Sequence, residues 1–365
     1  MKEKYMTQAL ALARKALGHV ASDPLVGAVI VKNNEIIGQG YHHHFGSMHA
    51  ELDALQNCIR SPKGATLYVT LEPCCHYGKN PPCTSALIES GIKKVVVGTL
   101  DKNPLVSGHG VEQLRSHGIE VEVGVLEEKC QRLIRFFTKY ITTKTPFVIL
   151  KYAMTLDGKI ATYTGDSRWI SGKAARTEVH NLRAAVSAIM VGVNTVIKDD
   201  PLLTCRSKEN VDPIRIICDT TLKTPLTAKI IQTATEIPTY IATTVTDEQK
   251  RSDYVAKGCH IVNVSKKEGH LDLRELMQIL GEKGIDSILL EGGSILNWGA
   301  LDAQIIDEIH TYISPKLLGG LGKTPISGKG VATLSEAIAV HPFEQSLVGA
   351  DLVIKSEVEY KCLPE

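Results

Sequence analysis

No apolar run in this chain reaches the roughly 18 residues that a membrane-spanning helix requires, so no transmembrane helix is implied. The opening Met1-Lys2-Glu3-Lys4-Tyr5 lacks the apolar core of a secretory signal peptide. Charge of one sign is also missing. With 41 Lys and Arg against 40 Asp and Glu the net charge is +1. A polyanion-binding surface is therefore not expected, and even a deaminase acting on tRNA would normally show a basic face. Internal repeats, low-complexity tracts and a G-x-G-x-x-G fingerprint are absent. Nine cysteines is an odd number, and Cys58, Cys130, Cys205, Cys218, Cys259 and Cys362 follow no regular spacing. Those six read as reduced thiols of a cytoplasmic protein. What remains is an ordinary globular composition, 43% hydrophobic and 22% charged, over 365 residues, a length that predicts two domains.

The most informative residues are His49-Ala50-Glu51, followed by Pro73-Cys74 and Pro82-Cys83. One imidazole and two thiolates suit a tetrahedral Zn²⁺ and leave its fourth position open for water, whose pKa the ion lowers toward neutrality. Glu51, two residues after the histidine, is placed to move protons for that water without binding the metal. Histidine, two cysteines and a non-ligand glutamate form the signature of zinc nucleobase deaminases, although here no Cys-x-x-Cys closes the pattern. Gly78 and the Pro81-Pro82 pair can turn the intervening loop back on itself, and His76 and Lys79 within it can face an anionic substrate. The competing reading is a closed structural zinc site with Cys75 as fourth ligand, which explains neither Glu51 nor the paired prolines.

The pattern predicts a helix over 6–17, a strand over 26–31 and its hairpin partner over 35–40 across Asn33-Asn34. A helix over 49–59 places His49 and Glu51 in its first turn. A strand over 66–71 delivers Cys74, and Cys83 opens a helix stopped by Gly91. Strands over 93–98 and 119–123, with a helix between, complete the first part. Ligands thus gather at strand ends and helix starts. The stretch Thr142-Thr143-Lys144-Thr145-Pro146 marks the domain boundary. Beyond it, strands are expected over 147–153, 188–191, 214–218, 239–243, 287–290 and 308–313, and helices over 174–184, 273–280 and 294–301.

Together, His49-Ala50-Glu51, Thr70-Leu71-Glu72-Pro73-Cys74, Gly78-Lys79-Asn80-Pro81-Pro82-Cys83 and Asp101-Lys102-Asn103-Pro104 closely resemble the bifunctional riboflavin-biosynthesis deaminase/reductases. The match continues through Leu156-Asp157-Gly158-Lys159, Gly165-Asp166-Ser167-Arg168-Trp169-Ile170 and Asp200-Pro201-Leu202-Leu203-Thr204-Cys205-Arg206. Glu291-Gly292-Gly293 and Pro315-Lys316-Leu317-Leu318-Gly319-Gly320 fit as well, so the resemblance covers nearly the whole chain. It implies an α/β fold: a cytidine-deaminase-like three-layer domain over 1–144 and a dihydrofolate-reductase-like domain over 145–365. The implied chemistry is zinc-dependent hydrolytic deamination of 2,5-diamino-6-ribosylamino-4(3H)-pyrimidinone 5′-phosphate. NADPH-dependent reduction of the ribosyl group then gives 5-amino-6-(5-phosphoribitylamino)uracil. The expected partner is that small phosphorylated pyrimidine, not nucleic acid or a membrane, and a homo-oligomer is expected.

Residue by residue, the resemblance carries one zinc per chain onto His49, Cys74 and Cys83, and the proton shuttle onto Glu51. Deaminase substrate contacts fall on Asp23, His42, His76, Lys79, Asp101 and Asn103. Reductase substrate positions fall on Ser167, Arg183, Leu203, Arg206 and Glu291. The nucleotide side maps to Ala153, Trp169, Thr195, Asp199 and Thr220, and to the loop Gly293, Ser294, Ile295, Leu296, Asn297, Trp298 and Gly299. Arg183 and Arg206 supply guanidinium forks suited to a phosphate. Gly292-Gly293-Ser294 follows an apolar strand and opens a helix, so its N–H groups can approach a pyrophosphate. Trp169 can wall a nicotinamide pocket, and Lys151 on the strand below is a candidate for polarising the sugar.

Two departures stand out. The family reads asparagine where this chain has Asp23, and serine where it has Cys75. An amide donates and accepts, whereas an ionised carboxylate only accepts. Cys75 is expected to be a bystander. The rival readings are a deaminase for another nucleobase with an appended domain, tested on cytidine, and a non-catalytic zinc-stabilised binding protein, in which Glu51→Ala would be silent.

Overall fold

Val29-Ile30-Val31 and Val95-Val96-Val97 are unbroken apolar triplets, the composition of strands covered on both faces. A computed structural model of the chain, describing residues 1–77, 81–206 and 211–360, places both triplets inside one sheet. The chain divides into two units, Met1–Lys144 and Thr145–Glu365.

In the first unit the strands are β1 (Gly27–Lys32), β2 (Glu35–Tyr41), β3 (Thr66–Leu71), β4 (Lys94–Thr99) and β5 (Glu120–Val123), in the order β2-β1-β3-β4-β5. β1 and β2 form an antiparallel hairpin. Asn33 and Asn34 at its turn take left-handed φ of 52° and 63°, as a two-residue turn matching strand twist demands. β3, β4 and β5 run parallel. One face packs on helices Ala50–Gln56, Cys83–Glu89 and His109–Ser116, through Ala50, Ala54, Leu87, Val111 and Leu114. Helices Lys2–Ala13 and Glu127–Leu133 cover the other through Met6, Ala9, Leu10 and Cys130. These are the three layers expected. Gly91 takes φ +72° just past Cys83–Glu89, where a C′ glycine ends a helix. At the boundary stretch, helix Arg135–Thr143 runs through Thr142 and Thr143, whose hydroxyls donate back to Thr138 and Lys139 carbonyls.

The second unit carries β6 (Phe147–Thr155), β7 (Ala188–Gly192), β8 (Ile214–Cys218), β9 (Thr239–Thr243), β10 (His260–Asn263) and a two-stranded pair, β11 (Lys266–Lys267) and β12 (His270–Leu271). β13 (Ser287–Leu290), β14 (Glu308–Ser314), β15 (Ala339–Val348) and β16 (Asp351–Glu359) follow. The nine-stranded sheet runs β10-β9-β8-β7-β13-β6-β14-β16-β15. It is parallel from β10 to β14, with β16 and β15 antiparallel at one edge. Helices Leu273–Glu282 and Ser294–Asp302 cover one face through Leu276, Met277, Leu280, Ala300 and Leu301. The other face buries Ile189, Val191, Ile217 and Ile241 against Ile230, Ile231 and Tyr254. Helix Lys173–Ala185 packs Ala175 and Val179 on Tyr312 and Val353.

Candidate active sites

His49 is the N-cap of helix Ala50–Gln56, with extended φ −69° and ψ 154°, and Glu51 lies in the helix's first turn. Cys74 follows β3, and Cys83 is the first residue of its helix. The three potential donor atoms of His49, Cys74 and Cys83 all lie within 4.8 Å of one another. His49 Nδ1 is 3.2 Å from Cys83 Sγ and 3.4 Å from Cys74 Sγ. Zinc bonded to one imidazole nitrogen and two thiolates holds such atoms about 3.5 Å apart, so the set fits the ion. The Cys83 N–H also donates to Cys74 Sγ at 3.4 Å. Cys75 stands outside this group, with Sγ 3.9 Å from the Leu105 carbonyl oxygen, and the four-ligand closed site has no support in this geometry.

The protons tell the same story. Hydrogen bonds from Cys83 and then His49 hold Cys74 down to about 4, against burial. Hydrogen bonding to Cys74, with burial, pushes Cys83 well above the usual thiol range. The Cys74 hydrogen bond lifts His49 to about 9. In the protein alone these groups share protons through those hydrogen bonds; a dication suits two thiolates and a neutral imidazole together. Glu51 is 3% exposed, and burial, with the Cys74 charge behind it, pushes its carboxyl up to about 7. A carboxyl titrating near neutrality can pass a proton in either direction.

Around these residues, His42 is buried, with Nδ1 3.2 Å from Met48 O and Nε2 3.1 Å from Asp23 Oδ2. Asp23 Oδ2 also accepts the Gly46 N–H at 3.0 Å. Asp23 thus ties down the loop that ends at His49. Asp101 is buried, and desolvation pushes it up to about 6; its Oδ1 accepts the Asn103 N–H at 2.8 Å. Asn103 Oδ1 takes the Leu105 N–H at 3.1 Å. His76 keeps a buried Nδ1 without a hydrogen-bond partner among the described residues. Lys79 lies outside the described residues. Sequence reasoning missed Glu72, a buried carboxylate that accepts three backbone N–H groups of the segment containing Asp101. Its place in Thr70-Leu71-Glu72-Pro73-Cys74 was the available signal.

In the second unit, Glu291 follows β13 and Arg183 lies in the last turn of helix Lys173–Ala185. Their side chains meet in a largely buried fork, Nε to Oε1 at 3.0 Å and Nη2 to Oε2 at 2.8 Å, while Nη1 donates to Thr204 O at 3.1 Å. This differs from the expected phosphate clamp, because Glu291 already occupies the bidentate edge of Arg183. Burial opposes ionisation of Glu291, yet the Arg183 and Lys151 charges hold it down to about 2. Burial lowers Lys151, whose Nζ lies 5.7 Å from the Tyr312 ring centroid. His180, unremarked in the sequence, is lowered by burial and then by Arg183 and Arg206. Arg206, on the loop beyond Thr204, is exposed. Leu203 buries its side chain in the apolar cluster under β8, so only its backbone faces outward chemistry.

The nucleotide positions divide in the same way. The helix expected over 294–301 is Ser294–Asp302 with Gly293 as its N-cap and Asn297 N bonded to Gly293 O, so the nucleotide positions after Gly293 lie on a helix. The early N–H groups of Ser294, Ile295 and Leu296 suit phosphate oxygens, and a Cβ at Gly293 would meet nothing nearer than Thr195 Oγ1 at 3.9 Å. Thr195 lies in helix Val193–Asp199, and Asp199 O accepts from Arg168 Nη2 at 3.1 Å. Asn297 is 1% exposed and its amide donates to Pro325 O at 2.8 Å, so that side chain holds protein rather than nucleotide. Trp298 packs against Gly328, whereas Gly299 faces Leu273. Trp169 is 60% exposed with the Arg176 guanidinium 4.4 Å from its ring centroid. Lys316 Nζ donates to Trp169 O at 2.7 Å and Ile170 O at 2.9 Å, and Asp157 accepts the Gly319 N–H at 2.7 Å. Lys316 thus holds the Trp169–Ile170 backbone and Asp157 holds the backbone at Leu318 and Gly319; both lie in the quoted motifs, but neither was given a role from the sequence. Thr220 offers its carbonyl to Thr244 N at 3.3 Å, and Ala153 pairs with Tyr312 across β6 and β14.

Residues 1–99 match the cytidine and deoxycytidylate deaminase zinc-binding region, and residues 146–352 match the RibD C-terminal domain. The riboflavin biosynthesis protein RibD of Actinobacillus pleuropneumoniae is 49% identical over 351 residues, covering 96% of this chain and 93% of that protein. The RibD of Aquifex aeolicus (strain VF5) is 45% identical over 361 residues, 96% of this chain and 97% of its own. The crystal structure of a diaminohydroxyphosphoribosylaminopyrimidine deaminase/5-amino-6-(5-phosphoribosylamino)uracil reductase from Thermotoga maritima superposes with a TM-score of 0.87 at 39% identity, covering 98% of each chain. With both halves of the motif set in one polypeptide and both units folded as those relatives fold, this chain belongs to the RibD family of riboflavin-biosynthesis deaminase/reductases.

Proposed function

We propose that residues 1–144 deaminate 2,5-diamino-6-ribosylamino-4(3H)-pyrimidinone 5′-phosphate and residues 145–365 reduce the product to 5-amino-6-(5-phosphoribitylamino)uracil. The observation that carries this reading is the convergence of His49, Cys74 and Cys83 on one point beside the buried Glu51. Zinc held by those three side chains supplies the Lewis acidity that makes water nucleophilic near neutral pH. Glu51 takes a proton from the water and returns it to the departing amine, which is why its carboxyl must not be a ligand. Asp101, Asn103, His76 and His42 are the substrate-side candidates, with Asp23 holding His42.

In the second unit, NADPH supplies the hydride. The N-terminus of helix Ser294–Asp302 would hold its pyrophosphate, and Thr195, Asp199, Thr220, Ala153 and Trp169 would hold the rest of the nucleotide. Arg206 takes the substrate phosphate, Arg183 stands beside it held by Glu291 and Thr204 O, and Ser167 is a further substrate position. Lys151, whose protonation burial opposes and the Glu291 charge favours, is the candidate to polarise the sugar oxygen. The chain works in the cytoplasm as a homo-oligomer. A coupled assay tests the whole reading: the diaminopyrimidine ribosyl phosphate is supplied with and without NADPH. Ammonia release is expected in both cases and loss of reduced-nucleotide absorbance only in the first. Ammonia from cytidine instead of this substrate would overturn it.

A further inference from the structure

We propose that Glu72 is a positioning residue of the deaminase, joining the metal-ligand strand to the substrate loop through backbone N–H groups; this rests on the deaminase reading above. Glu72 is buried and stands two residues before Cys74, at the end of β3. Its carboxylate ends on backbone N–H donors. Oε2 accepts Asp101 N at 3.2 Å and Gly108 N at 2.9 Å, and Oε1 accepts Val111 N at 3.1 Å. Gly108 is the N-cap of helix His109–Ser116 and Val111 lies in its first turn, so the anion sits on the positive end of that helix. A buried carboxylate needs such compensation, and here oriented amides provide it.

The donors come from residues 29, 36 and 39 positions further along the chain, and they bracket the segment 101–111. From Asp101 the same device repeats outward, Asp101 Oδ1 on Asn103 N and Asn103 Oδ1 on Leu105 N. Glu72 therefore fixes where Asp101 and Asn103 stand relative to Cys74. Packing enforces the approach. A Cβ at Gly110 would lie 2.2 Å from Pro73 O and 3.1 Å from Glu72 Oε1, so no other residue lets this helix come so close.

The full-length, zinc-loaded protein tests this with two variants that disturb the joint from opposite sides. Glu72→Gln keeps the shape but turns an amide N–H₂ toward an N–H donor, and Gly110→Ala keeps the carboxylate but pushes the helix away. Both are expected to keep one zinc per chain and wild-type reductase activity. KM for the diaminopyrimidine substrate should rise about tenfold or more, the size expected when charge-assisted hydrogen bonds are lost. Amide hydrogen exchange over 101–111 should quicken in both. If the wild type itself releases no ammonia, the deaminase reading fails. If the wild type is active and both variants match it in KM and in amide exchange, the role given to Glu72 fails. If Glu72→Gln sheds zinc, Gly110→Ala decides: unchanged kinetics there also overturn the proposal.

Discussion

Replacing Glu291 by glutamine is the sharpest single perturbation of the second unit. The carboxylate lies in a fork with Arg183, both side chains 14% exposed, and Lys151 adds a second positive charge nearby. Those charges hold Glu291 at about 2, against an ordinary value of 4.5. A displacement of that size corresponds to about 3 kcal/mol of folding free energy at neutral pH. Breaking one side of a buried pair costs a similar amount, because the remaining cation loses its counter-charge. Glu291→Gln leaves Arg183 and Lys151 facing each other uncompensated, so the same figure, about 3 kcal/mol, is expected. The pH dependence has a definite sign. The folded value is depressed, so the contribution is present in full above the unfolded value, near pH 5 and higher. It is lost as pH falls from about 4.5 through about 2, so that less than half survives at pH 3. Trp169 and Trp298 both lie in the second unit, so tryptophan emission during urea unfolding reports on that unit. A gap between wild type and variant below about 1 kcal/mol at pH 7, or a gap that widens toward pH 3, would refute the reasoning.

The first unit yields three further expectations. Glu51→Gln should lower deaminase turnover by about a hundredfold or more while zinc content and reductase rate hold, since general acid–base steps contribute on that scale; residual deamination near wild type would remove the proton-shuttle role. Cys75→Ser should retain one zinc per chain by elemental analysis, because the Cys75 sulfur faces Leu105 O and not the other donors; metal loss would restore the closed-site reading. Asp23→Asn should preserve or raise deaminase activity, because an amide oxygen can accept from both His42 Nε2 and Gly46 N as the carboxylate does. A large drop in its steady-state rate would show that the negative charge itself matters.

How much of this was written in the pattern of residues depends on what each residue must touch. The strands Thr66–Leu71, Ile214–Cys218, Thr239–Thr243 and Ser287–Leu290 were read with the right ends, because buried parallel strands are short apolar runs with polar or turn residues on each side. Ala339–Val348 and Asp351–Glu359 were not read at all. β15 lies at the sheet edge, largely exposed and interrupted by Pro342, and its alternation is weak because only one side meets a core. Helix Glu248–Ala256 escaped for a related reason, since its sequence is mostly charged and buries only Arg251 and Tyr254.

The sites divide along the same line. A metal needs particular atoms, so His49, Cys74 and Cys83 announce themselves by type, and the fold has only to bring them within reach. Glu72, Lys316 and Asp157 act on backbone N–H and C=O groups of other loops, which every residue carries, so no partner signature exists in the sequence for them. Arg183 shows the intermediate case. Its type suited an anion, and the structure supplies one, but from Glu291 inside the protein. Reading a guanidinium as a ligand for substrate is therefore safe only when no buried carboxylate can reach it first. In this family fold that condition leaves Arg206, exposed on its loop, as the side chain whose loss should weaken phosphate binding with least damage to stability.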